Sequence, residues 1–90
     1  MGIQVKLFMI LYTMGQIGGT AGPLPYDINE CKQRAAALQA NVTQIVATGR
    51  STNGKNEEVG AEDMEKFKTM RFSCEHRASK PELGEKEPSI

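Results

Sequence analysis

The sequence predicts a small α+β domain: a β-hairpin, one long helix packed on a short antiparallel sheet, and a last strand joined to the helix by a disulfide. Three observations carry this. Val5 to Met14 is a continuous apolar, β-prone run. Ile28 to Gly49 is a capped amphipathic stretch. Phe67 to Glu75 alternates apolar and polar residues up to Cys74. Ninety residues make one domain at most. Its bounds are read as residues 1–77, followed by a flexible charged tail over residues 78–90.

The front run is a strand covered on both faces, because it holds Val, Leu, Phe, Ile, Tyr and Thr without a polar period. Gly15 begins a turn, and Ile17 to Leu24 forms a weaker strand that Pro23 and Pro25 confine to a sheet edge. A second reading makes residues 1–21 a signal peptide. Lys6 is then the charged start, Leu7 to Met14 the apolar segment and Gly19-Thr20-Ala21 the small-residue cleavage site. The strand reading is preferred because without these residues the chain keeps one helix and a lone strand. A lone strand has no partner for its backbone groups.

Asp27 is placed as an N-cap, with Glu30 three residues on to complete a capping box. Tyr26 precedes the cap and can staple against Cys31. Ile28, Cys31, Ala35, Leu38, Val42 and Ile45 draw one apolar stripe, and Gly49 supplies the stop. A coiled coil is the alternative use of this stripe, but small Ala and Cys at seam positions make a poor zipper.

Arg50 to Gly60 is polar and turn-rich, a surface loop, and Ala61 to Lys66 adds a short helical turn. In the strand Phe67–Glu75, Met70, Phe72 and Cys74 share one face, and Thr69, Arg71, Ser73 and Glu75 share the other. Cys74 therefore points to the core, as Cys31 does from the helix stripe, and the two thiols are expected to bridge. Closing that ring is worth about 4 kcal/mol in the chain-entropy model. The tail is charged, broken by Pro81 and Pro88, and poor in large apolar residues.

Composition excludes several roles. Lys plus Arg and Asp plus Glu are equal at 11 each, which argues against an electrostatic grip on nucleic acid or on an anionic membrane. The apolar front run is too short for a membrane-spanning helix. Gly49 to Lys55 matches a phosphate-binding loop up to the lysine, but Asn56 replaces the magnesium ligand and a helix ends where a strand should. Cys74, His76 and distant Cys31 give no fourth metal ligand and no short paired spacing, so no metal or cofactor is expected. Cys74 and His76, two apart on a strand, sit too far apart for a nucleophile and its base. Asn41-Val42-Thr43 is a glycosylation sequon placed mid-helix on the expected inner side, a chance match. No catalytic set converges, no small-molecule substrate is indicated, and the chain reads as a non-enzyme.

Gly22-Pro23-Leu24-Pro25-Tyr26-Asp27, the helix opening with Cys31 and the Phe72-Ser73-Cys74 strand resemble small uncharacterised proteins of proteobacteria and their phages. The resemblance spans about residues 3–77. It implies a hairpin–helix–strand domain with a helix-to-strand disulfide, and a mobile-element or phage setting. One helix covers only one face of a three-stranded sheet. Phe8, Ile10 and Tyr12 point one way along the front strand, and Val5, Leu7, Met9 and Leu11 the other. The row Phe8, Ile10 and Tyr12 is therefore expected as a bare apolar surface for a protein partner or for self-association. The expected function is a non-catalytic structural or interaction module, such as a small subunit of a phage particle. The alternative is a small exported bacterial protein with a cleaved signal. A bridge favours the virion, periplasm or exterior over the cytoplasm.

Overall fold

A computed structural model describes residues 4–51 and 57–87. The elements run β1 (Lys6–Thr13), β2 (Gln16–Ala21), α1 (Ile28–Thr48), α2 (Ala61–Thr69) and β3 (Arg71–Arg77). The sheet order is β2-β1-β3, with β1 in the centre and antiparallel to both neighbours. The predicted α+β architecture is the observed one.

Met14 and Gly15 join β1 to β2 with φ of 55° and 77°. Two left-handed residues in a row give the hairpin turn whose twist matches paired strands. Beyond β2 the chain passes very close to β1. A Cβ on Gly22 would stand 2.8 Å from the Phe8 ring and 2.9 Å from the Leu7 carbonyl oxygen, so only glycine fits there. The Leu24 N–H then donates to that same Leu7 carbonyl at 2.9 Å.

α1 starts where the cap predicts. The Asp27 carboxylate accepts from the Glu30 N–H at 2.9 Å. The reciprocal half of the box is not made, because the Glu30 carboxylate takes Arg34 at 2.7 Å instead. Gly49 closes the helix, donating its N–H to Ile45 O at 2.8 Å. Cys31, Ala35, Val42 and Ile45 are buried along the expected stripe, whereas Leu38 is 40% exposed. Leu7, Met9, Cys31 and Ala35 form the core between α1 and the sheet, with Leu24, Tyr26, Ile28, Phe72 and Cys74 around it. The stripe serves the sheet and not a coiled coil. Cys31 and Cys74 are bridged, with Cα atoms 6.1 Å apart.

One boundary is corrected. The expected strand from Phe67 begins only at Arg71, and Phe67 to Thr69 complete α2. Met64, Phe67 and Met70 recur at a spacing of three, which fits a helix as well as alternation does over so few residues. Glu62 and Asp63 in the first turn and Lys66 and Lys68 in the last complement the helix dipole and favour the helix.

The ends of the long loop pair with each other: Ser51 N–H donates to Glu57 O at 2.8 Å and Val59 N–H to Gly49 O at 2.9 Å. Thr52 to Lys55 of the phosphate-loop match, and Asn56 after it, lie outside the described residues.

Residues 78–87, expected as part of a tail, run back to β2. Gly84 N–H donates to Ile17 O and Ile17 N–H to Glu85 O, both at 2.7 Å, and Glu87 N–H donates to Gly15 O at 2.8 Å. Pro81 is buried. This return closes part of the outer edge of β2.

Candidate functional site

The row proposed from sequence as a bare partner surface requires correction. Phe8, Ile10 and Tyr12 are 2%, 0% and 1% exposed, and with Ile17 they form a second core on the face of the sheet away from α1. The register gives the reason. Phe8, Ile10 and Tyr12 stand opposite Glu75, Ser73 and Arg71 of β3, so those polar side chains share their face. The returning C-terminal segment crosses the same face, because Glu87 pairs with Arg71 at 2.9 Å and Glu85 approaches Arg77 at 3.9 Å.

A polar cluster closes this second core. The Tyr12 hydroxyl donates to Glu75 Oε2 at 2.8 Å and accepts from Arg77 Nη2 at 3.2 Å. Arg77 grips Glu75 Oε1 through Nη2 at 2.8 Å and through Nε at 3.1 Å. The Arg71 guanidinium lies 4.4 Å from the centre of the Tyr12 ring.

Burial, reinforced by the Glu75 carboxylate that the hydroxyl serves, pushes Tyr12 above its ordinary value. Burial also pushes the Glu75 carboxyl up, but hydrogen bonds from Arg77, Tyr12 and Ser73 and the charge of Arg77 outweigh it and hold the group below the usual carboxylate range. The hydrogen bond to Glu75 raises Arg77 further. Each shift moves its group away from neutrality, whereas a general acid or base works best near the operating pH. The cluster is a latch that ties β1, β3 and the C-terminal segment together. Sequence reasoning placed Arg71 and Glu75 on the face opposite Cys74, where they lie, but not beside a second core. The missing signal was that their register partners are aromatic and aliphatic.

The outer edge of β3 is open along the described residues. The Leu7 carbonyl bonds toward Leu24, on the β2 side of β1. Backbone direction alternates along a strand, so Phe8, Ile10 and Tyr12 turn their backbone groups to β3 and are met there by Glu75, Ser73 and Arg71. Phe72, Cys74 and His76 therefore aim N–H and C=O outward. The outward carbonyl of Met70 is taken by Gln39 Nε2 of α1 at 3.2 Å. Among the described residues nothing takes the backbone groups of Phe72, Cys74 or His76. Beside them lies a groove of about 420 Å³ between β3 and α1. Its helix wall is Lys32, Ala35, Ala36 and Gln39, and its strand side is Phe72, Ser73 and Cys74.

A smaller apolar hollow, about 240 Å³, lies where α1 leaves β2 uncovered, lined by Met9, Leu11, Gly19, Ala21, Leu38 and Phe72 among others. Asn41 of the sequon is exposed, not inward as expected, but it remains mid-helix. Among the described residues no group of three His, Cys, Asp or Glu is gathered for a metal, and no helix is long and apolar enough to cross a membrane. Compared with protein-family models, curated proteins and solved structures, the chain finds no match in any of the three, so its function is argued from geometry.

Proposed function

We propose that this chain is a non-catalytic interaction module, a small disulfide-stapled subunit that joins a larger assembly by strand pairing at β3. The observation that carries the reading is the row of outward backbone groups at Phe72, Cys74 and His76. Unpaired strand edges are templates for another chain, and proteins that do not use them usually cover or blunt them. The contrast with β2 is informative, because there the chain spends its own C-terminal segment on the edge. A phage particle is one such assembly; that setting rests on the sequence resemblance.

Amide exchange tests the reading. In the isolated chain the Phe72, Cys74 and His76 amides should exchange fast, while Ser73 and Glu75, bonded to β1, are protected. Slow exchange at all five positions in a verified monomer would mean that the edge is already closed, and the reading would fall.

A second reading, an exported protein with a cleaved signal, is favoured by the bridge, which needs an oxidising destination. Cleavage after residue 19 or 21 would take away β1, the strand that both neighbours pair with. Intact mass from the native host separates the two: loss of the first 19 or 21 residues supports export with cleavage, and a chain starting at Met1 or Gly2 removes it.

A further inference from the structure

We infer that the groove between β3 and α1 takes an extended acidic peptide segment, which adds as a further strand on β3 and places a carboxylate against Lys32. The inference rests on the strand-pairing reading above and specifies the chemistry of the occupant. The first argument is the backbone: outward N–H and C=O groups on alternate residues are matched by an extended chain and not by a helix. The second is space. The groove volume of about 420 Å³ falls within the range of ligand sites. Its helix wall is lowered by Ala35 and Ala36, so side chains of the added strand that point to α1 should be small.

The third argument is charge. Lys32 is the only charged residue lining the groove, and among the described residues it has no ion-pair partner. Arg34, two residues along α1, is already held by Glu30. Gln39 at the other end spends its amide on Met70 O. Among the described residues, the Lys32 end therefore holds a cation with no counter-charge.

A second copy of β3 is the more constrained occupant. Paired strands stand about 4.8 Å apart. α1 sits on β3, held there by the Cys31–Cys74 bridge and by Phe72. Its symmetry mate would then lie beside it on the same face, so a second β3 can pair only if two helices also fit at the roughly 8–10 Å that packed helices need. A single extended segment brings no helix with it.

The test uses the oxidised full chain, labelled with ¹⁵N, and two defined probes. Both are capped eight-residue peptides alternating threonine and alanine, one with glutamate at both ends and the other with lysine. The chain has no net charge, so its overall field favours neither. Titration should shift the Phe72, Cys74 and His76 amides, with the glutamate probe binding about fivefold tighter at low salt, the size of one partly exposed ion pair. Lys32→Glu, a change on the exposed side of α1, should reverse the preference while intact mass shows the bridge retained. Equal binding of both probes with the same amides shifting would overturn the acidic occupant and leave the strand-pairing reading standing. No shift with either probe would overturn both. Shifts at these amides on raising the protein concentration alone would assign the edge to a second copy and overturn the inference.

Discussion

The two faces of the sheet are covered by different means. On one, α1 lies across β1 and β3 as a regular element with a cap, an apolar stripe and a covalent tie through Cys31–Cys74. On the other, Phe8, Ile10, Tyr12 and Ile17 are as deeply buried, yet no helix among the described residues belongs to their cluster. Their cover is polar side chains of β3 together with a charged, proline-broken segment. A core can thus be closed by residue types that read as solvent-facing, here with Arg71, Glu75, Arg77, Glu85 and Glu87 paired among themselves. The helix face relies on area and a covalent ring, the far face on hydrogen bonds and ion pairs.

Breaking the covalent tie should have the largest effect. Reduction frees a ring of 43-residue separation, and the chain-entropy model puts the loss at about 4 kcal/mol. For a domain this small that is close to its whole stability, roughly 5 kcal/mol at the low end of the usual range. Cys31→Ser should cost at least as much, since Cys31 is fully buried and a hydroxyl there has no assured partner. Urea unfolding of oxidised and reduced chain gives the difference directly. A midpoint unchanged by reduction would show that α1 holds its face without the bridge.

The same contrast explains what could be read from the sequence. α1 is written in local signals: Asp27 before the stripe, Gly49 after it, and apolar residues at spacings of three and four. The bridge followed because Cys31 and Cys74 each sit on a pattern that points inward. The hairpin followed from a β-prone run and a glycine turn. The far-face lid has no such signature. Whether Glu75 faces Phe8 or solvent depends on strand register, and the return of residues 84–87 to β2 depends on three backbone hydrogen bonds that no side chain announces. The open edge of β3 was equally hidden, because it follows from sheet order and backbone direction, not from residue type. The error at Phe67 has the same root: over four residues, periods of two and three share too many positions.

The far face can be opened by shortening the chain. A protein ending at Ala78 loses the three backbone hydrogen bonds to Gly15 and Ile17 and the buried Pro81. At about 1 kcal/mol per bond the expected loss is about 3 kcal/mol, smaller than that of reduction. The truncated chain should also bind a hydrophobic dye more strongly as Phe8 and Ile17 become accessible, while the α1 signal in far-ultraviolet circular dichroism persists. Equal urea midpoints for the two lengths would sink the claim that this segment covers the core.

The smallest change probes the latch. Tyr12→Phe keeps the ring beside Arg71 but removes the hydroxyl that Glu75 and Arg77 share, and should cost about 1 kcal/mol at neutral pH. Its pH dependence is the sharper readout. The folded Glu75 carboxyl lies below its unfolded value, so its contribution is present above the unfolded value, about 4.3, and is lost as the pH falls through the folded one. The Tyr12 hydroxyl is raised on folding, so its contribution is full below the unfolded value, about 10, and is lost as the pH rises through the folded one. The variant lacks the second dependence altogether and has a weaker first one, because one of the donors holding Glu75 ionised is gone. Stability curves of the two proteins should therefore lie furthest apart at intermediate pH and draw together toward both extremes. A gap of constant size from acid to alkali would mean that the hydroxyl acts only through packing, and the two faces would then differ less in chemistry than their residues suggest.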